Sequence, residues 1–98
     1  MNAAVRLRPE AEADVAQARA WYDERARGLG LEFVRAFEAA LAGIERFPEA
    51  HARVHGETRR AMLRKFPYGV FYIIENEWIT VLACLHTARD PAGWQERT

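Results

Sequence analysis

Apolar and charged residues alternate along Ala4-Val5-Arg6-Leu7-Arg8, the period-two pattern of a half-buried strand. Pro9 closes that strand, because it disfavours a helical conformation at Arg8 while suiting the first turn of a helix. From Glu10 onward Ala11, Val15, Ala18 and Tyr22 recur at helical spacing with Trp21 beside the stripe. Glu10, Glu12 and Asp14 crowd the start of this segment, where negative charge suits the helix dipole. Gly28 and Gly30 read as a helix stop and a tight turn. A second helix is predicted from about Leu31 to Phe47, since Val34, Phe37, Leu41 and Ile44 repeat at three to four residues, with Phe33 and Ala40 widening the face. Pro48 ends it. Neither helix is long enough to be stable alone, so the pattern predicts a helical hairpin with a shared apolar face.

Residues 49–58 have no clear period and contain Gly56, which reads as a loop. Arg59 to Phe66, Val70 to Glu75 and Trp78 to His86 are runs rich in Val, Ile, Phe, Tyr and Trp, separated by Pro67-Tyr68-Gly69 and Glu75-Asn76-Glu77. They predict an antiparallel meander. In the last run Ile79, Val81, Ala83 and Leu85 should point one way and Trp78, Thr80, Leu82, Cys84 and His86 the other. Both sets are largely apolar, so this strand should be central and covered by the hairpin. The expected fold is an α+β sandwich of two layers, a helical hairpin on a mainly antiparallel sheet in the order β-α-α-β-β-β, with the first strand pairing at the sheet's side. The 98 residues fit one domain, 1–98, and half are apolar or aromatic, enough for a core without staples.

Charge refines this picture. The chain carries 14 basic and 14 acidic residues, but residues 51–98 hold seven basic against five acidic. Arg53, Arg59, Arg60, Arg64 and Lys65 fall close together with only Glu57 opposing them. Such a patch either holds phosphates or an acidic partner, or is a solvated strand and loop. Cys84 has no second cysteine to pair with and no metal-site spacing around it, so it reads as a small core residue. His51 and His55 are four apart but fall in the loop, so no metal site and no cofactor are expected. Residues 1–8 lack the apolar run of a signal peptide, and no segment is long and apolar enough to span a membrane. A cytoplasmic location is expected.

Several signatures, taken in order, resemble the RelE/ParE toxin superfamily: Trp21-Tyr22, Phe47-Pro48, Arg59-Arg60 with Phe66-Pro67-Tyr68 and Tyr72, and His86-Thr87-Ala88-Arg89-Asp90-Pro91 with Trp94. The closest likeness is to its ParE-like branch, often labelled plasmid stabilisation proteins. The resemblance implies the toxin of a type II toxin–antitoxin module, held inactive by a cognate antitoxin whose C-terminal segment wraps its helices and sheet. Adjacent helical residues point about 100° apart, so Trp21 and Tyr22 cannot both face one core. Either one of them contacts a partner or both lie at the buried margin.

The resemblance implies two chemistries and one inert case. ParE-like members poison DNA gyrase without being hydrolases, which suits a neutral chain with aromatic candidates at Tyr68, Trp78 and Trp94, since interface anchors are enriched in Trp, Tyr and Arg. These aromatics could equally pack into the core. RelE-like members are endoribonucleases that cut messenger RNA in the ribosome, which requires a proton acceptor, a proton donor and fixed positive charge at the phosphate. His86, Arg89, Arg60, Arg64 and Lys65 are the candidates, with Arg60 and Arg64 sharing a face if one strand carries both. His86 can instead bond backbone, and Arg89 can pair with Asp90 or Glu96. Residues 51–98 contain one lysine and no tyrosine beyond Tyr72, a poor match to a ribosome-directed nuclease. The reading preferred is the gyrase inhibitor, then the ribonuclease, then a non-toxic remnant that only binds antitoxin.

Overall fold

The computed structural model describes residues 4–88. β1 (Ala4–Leu7) leads into α1 (Pro9–Arg25) and α2 (Leu29–Arg46), followed by β2 (Arg53–His55), β3 (Thr58–Met62), β4 (Tyr68–Glu75) and β5 (Trp78–His86). The strands make a five-stranded sheet in the order β1-β5-β4-β3-β2. Every pairing is antiparallel except that of β1, the first strand, which runs parallel to β5, the last of the described strands. Both helices lie on one face, so the α+β sandwich and its element order stand as expected, with β2 added at the far edge.

Pro9 is the first residue of α1, where its missing N–H costs nothing. α1 buries only Ala11, Asp14 and Ala18, whereas α2 buries Gly30, Phe33, Phe37 and Ile44. Small residues therefore bring α1 close to the sheet, and α2 supplies the bulk of the filling. The helix-facing side of the sheet adds Ala61, Val70, Tyr72, Ile79, Val81 and Cys84 to the same cluster.

Five local expectations are corrected. Gly28, at φ 88, is the left-handed turn residue, and α2 begins at Leu29. Gly30 thus lies inside α2 and ends no helix, and the reason it is glycine is proximity. A Cβ there would stand 2.5 Å from the Arg19 carbonyl oxygen and 2.7 Å from Asp23 Oδ1, to which the Gly30 N–H donates at 2.7 Å. Residues 53–55, read as loop, pair with β3; three exposed residues are too few to display a period. β3 stops at Met62, short of Phe66, because Leu63 and Phe66 are core residues of the following connection and so mimic a strand. Tyr68 opens β4 and is not part of the turn.

The fifth correction concerns β5. Phe71 pairs with Ala83 but Tyr72 pairs with Val81, so Leu82 is an extra residue and the ladder shifts there. A bulge of this kind re-aims the side chains beyond it. Ile79 and Val81 face the helices and so does Cys84, whereas Ala83 and Leu85 join Phe71 in a separate cluster on the opposite face. The strict alternation along Trp78 to His86 is broken in the middle.

Candidate functional site

The shift at Leu82 decides what stands at the open side of β5. β1 pairs only with Trp78 to Val81, and its last contact is the Arg8 N–H donating to the Val81 carbonyl at 3.0 Å. Beyond that point, among the described residues, no strand lies alongside β5 on this side. The Cys84 N–H, turned there, donates instead to Asp14 Oδ2 on α1 at 3.0 Å. Asp14 is 8% exposed, and its carboxylate fills part of the hydrogen-bonding edge that a longer β1 would have filled. Its position in the second turn, facing inward, corrects the expectation that it belongs with Glu10 and Glu12 as a helix-start acid. No local signal in the sequence marks it. Its charge and the burial of the thiol act together on Cys84, burial first, and push that group up to about 12.

A groove of about 370 Å³ opens above this contact, between Gln17, Trp21 and Tyr22 of α1 and Cys84 to His86 of β5, with Tyr68 at its base. Trp21 and Tyr22 part company as helix geometry requires. Tyr22 turns inward, its ring 5.5 Å from Phe33 and 4.9 Å from Phe66. Trp21 is 48% exposed, with the Arg25 guanidinium 3.7 Å from its ring centre. Tyr68 is half-buried between Phe33, at 4.9 Å, and His86, at 5.3 Å. Trp78 stands on the far face of the sheet from this groove, opposite Glu75, half-exposed and covered in part by Arg6, whose guanidinium lies 4.6 Å from the ring. Trp94 and Arg89 lie outside the described residues.

The residues considered for phosphate chemistry are spread over the sheet. His86 pairs with Tyr68 on the helix-facing side. Arg60 pairs with Phe71, on the opposite side. Arg64 is not on β3, so it does not share a strand face with Arg60. Arg64 and Lys65 lie in the β3–β4 connection, against α2. His86 Nδ1 accepts the Ala88 N–H at 3.0 Å, which leaves the ring proton of the neutral imidazole on Nε2. In that state the outward nitrogen is a donor. Arg59 is structural: its guanidinium donates to the carbonyls of Glu49 at 3.1 Å and His51 at 2.6 Å. Beside it the Tyr72 hydroxyl donates to the Pro48 carbonyl at 2.6 Å. His51 packs edge-on against Tyr72, and His55 is an exposed residue of β2. Among the described residues no group of three His, Cys, Asp or Glu side chains could hold a metal ion, and no helix is long and apolar enough to cross a membrane.

Comparison with known proteins adds an independent line. The family model for the ParE toxin of the type II toxin–antitoxin system parDE matches residues 5–91. A chain of the chromosomal ParDE system from P. aeruginosa is 14% identical with a TM-score of 0.77, over 86% of this chain and 95% of that one. A chain of a RelBE toxin–antitoxin complex from Mycobacterium tuberculosis is 16% identical with a TM-score of 0.61, over 88% and 99% respectively. At such identities the likeness speaks for the fold. No curated protein matches in sequence.

Proposed function

Since this chain belongs to the ParE toxin family of type II toxin–antitoxin systems, we propose that it arrests growth by poisoning DNA gyrase and that a cognate antitoxin neutralises it. Residues 1–98 act as one toxin domain, and the cytoplasm, where gyrase works, is where it acts. The observation that carries this reading is the dispersal of the candidate phosphate-binding groups: Arg60 on one sheet face, His86 on the other, Arg64 and Lys65 beside α2. Cleavage of a phosphodiester needs base, acid and positive charge within hydrogen-bond reach of one phosphate. An inhibitor needs only exposed anchors, and Trp21 and Trp78 are such anchors, each stiffened by a stacked arginine. Trp94 joins them as a candidate contact.

The second reading is a ribosome-dependent endoribonuclease. One contact favours it: the exposed His86 ring stands against Tyr68, which brings an imidazole and a phenol together at one end of the sheet, with Arg89 three positions further along the chain.

Induction of the chain alone in a bacterial host, with DNA and protein synthesis followed separately, tests these readings. The gyrase reading expects DNA synthesis to fall first and purified toxin to block gyrase supercoiling. It also expects His86→Ala to leave toxicity intact. A prior fall in translation, relieved by His86→Ala, transfers the chain to the ribonucleases. Growth unaffected by induction removes both and leaves a protein that only binds antitoxin.

A further inference from the structure

The sheet face turned away from the helices is apolar at its centre. Two adjacent rows run across three strands there, Arg60, Phe71 and Ala83 in one and Met62, Gly69 and Leu85 in the next. An antiparallel sheet with one solvated face ordinarily turns polar side chains outward. Here Phe71, Ala83 and Leu85 stand outward, yet they are only 7%, 0% and 4% exposed. A single copy of the chain therefore covers them by itself. On the β3 side the cover is the Arg60 side chain, which lies so close over Gly69 that an added Cβ would meet its Cδ at 2.9 Å, with Met62 Sδ at 3.4 Å. On the β1 side Arg6 Nε donates to Thr80 Oγ1 at 3.0 Å, and Arg6 in turn lies over Trp78. Both covers stand at the borders of the patch, and no described helix lies on this face.

The two ends of the chain differ in what they can reach. Residues 1–3 precede Ala4, which pairs with Trp78, seven residues or roughly 23 Å along β5 from Leu85. Three residues span roughly 10 Å at most, so they stop short of the cluster. At the other end β5 finishes beside it. The Thr87 N–H donates to the Pro67 carbonyl at 2.8 Å, and the Ala88 N–H folds back onto His86 Nδ1. Arg89-Asp90-Pro91-Ala92-Gly93-Trp94-Gln95-Glu96-Arg97-Thr98 follow, with Trp94 their one large apolar side chain. Trp94 is six residues beyond Ala88, a reach of up to roughly 20 Å, whereas Ala83 is roughly 7 Å from Leu85.

We propose that the chain's own residues 89–98 close this face, with the Trp94 indole seated on Phe71, Ala83 and Leu85 beside the Arg60 guanidinium. Each tryptophan among the described residues already carries an arginine on its ring, Arg25 on Trp21 and Arg6 on Trp78. Arg60 is free for the same use, since among the described residues it has no ion pair. Burial of an indole on an apolar patch is favourable by area alone, and a guanidinium beside the ring adds to it. The seat lies over Arg60 and so closes the face on which phosphate chemistry would need that residue. Trp94, one of the candidate contacts above, then anchors the fold, and Trp21 and Trp78 remain as the outward pair.

Nuclear Overhauser spectra of the full-length chain test it, with a mixture of labelled and unlabelled copies separating contacts within one chain from contacts between two. The Trp94 indole should give cross-peaks to the Phe71 ring and the Leu85 methyls of its own chain. Trp94→Ala should shift the amides of residues 69–71 and 83–85, leave those of 14–22 in place, and lower the melting temperature by on the order of 10 °C. Trp94→Phe, which keeps an aromatic ring for the same seat, should recover most of that loss. Both variants alter only the tail, so the hairpin and sheet fold in either. Cross-peaks from Trp94 to Gln17 or Trp21 would place the tail in the α1–β5 groove, and cross-peaks found only between copies would make the cover a second chain. Amide shifts and melting temperature unchanged in Trp94→Ala would leave the face to the sheet's own side chains. Each of these three results overturns the proposal. The toxin reading fails separately, by absence of growth arrest, and the contacts of Trp94 stand or fall without it.

Discussion

Asp14 and Cys84 show how much one buried carboxylate can set. With its side chain removed in Asp14→Ala, the Cys84 N–H loses its acceptor in a buried setting, which should cost about 1–3 kcal/mol. Asp14→Asn keeps a carbonyl acceptor and should cost less; urea denaturation of the two variants measures the difference, and equal losses would show that charge, not acceptance, is what matters. The thiol next to it is a neutral group held in the fold. Its acid strength is lowered first by burial and then by the Asp14 charge, so its folded value of about 12 lies above its ordinary 9.0. The stability this contributes is fully present below pH 9 and drains away as pH rises toward 12. Tyr22 and Tyr72 are raised by burial as well, Tyr72 against an opposing pull from Arg59, and so lose stability in the same direction above pH 10. Melting temperature should therefore begin to fall above pH 9 and fall less steeply in Cys84→Ser. Thiol reagents should label Cys84 only as fast as the protein opens, and rapid labelling of the native state would contradict its burial.

Elements meet here through glycines chosen for different reasons. At Gly30 the start of α2 crosses α1 so closely that a methyl group meets the Arg19 carbonyl and Asp23. Gly30→Ala should destabilise by about 1–3 kcal/mol, the usual cost of overpacking. Gly43 in the same helix has nothing within 4 Å of an added Cβ. Gly43→Ala should stabilise the protein by up to about 1 kcal/mol through helix propensity alone. Thermal melts of the pair should move in opposite directions; a shared direction would mean that the α1–α2 crossing relaxes freely. The bulge at Leu82 is the other decision taken at this scale. It turns Cys84 toward Asp14 and sends Ala83 and Leu85 to the far face, and thereby places His86 beside Tyr68.

The sheet as a whole is unevenly protected, and the two flanks of the hairpin inherit that unevenness. β4 and β5 share the longest ladder and carry most of the buried strand residues. β2 is three exposed residues at an edge, tied to the rest through Arg59 and the 48–51 segment. Hydrogen exchange should release the amides of Arg53 to His55 first and those of Val70 to Tyr72 and Val81 to Leu85 last. Loss of the Tyr72 hydroxyl in Tyr72→Phe should quicken exchange in residues 49–55 with little change in β5. Unfolding of all strands at one common rate would show that the 48–51 tether does not partition the sheet. One flank of the hairpin thus ends at a stretch of β5 that no described strand flanks beyond Val81, and the other at β3, whose outer edge β2 pairs only at Thr58 and Arg59.

The periodicities of three to four residues and of two, with Pro9, Gly28 and Pro48 as boundaries, determined the helical hairpin, the meander and the two-layer fold from the sequence alone. These signals are local: they depend on what each residue does to its own backbone and on which side of one element it sits. The order of Trp21-Tyr22, Phe66-Pro67-Tyr68 and His86 likewise carried the family likeness, which the match over residues 5–91 bears out. Only the tertiary structure decided that Leu82 breaks the alternation of β5, that Asp14 closes its edge, that Trp21 and not Tyr22 faces outward, and that Arg60 and His86 stand on opposite faces. Each of those depends on strand register or on a partner distant in sequence, and a pairing shifted by one residue reverses the face of every side chain beyond it.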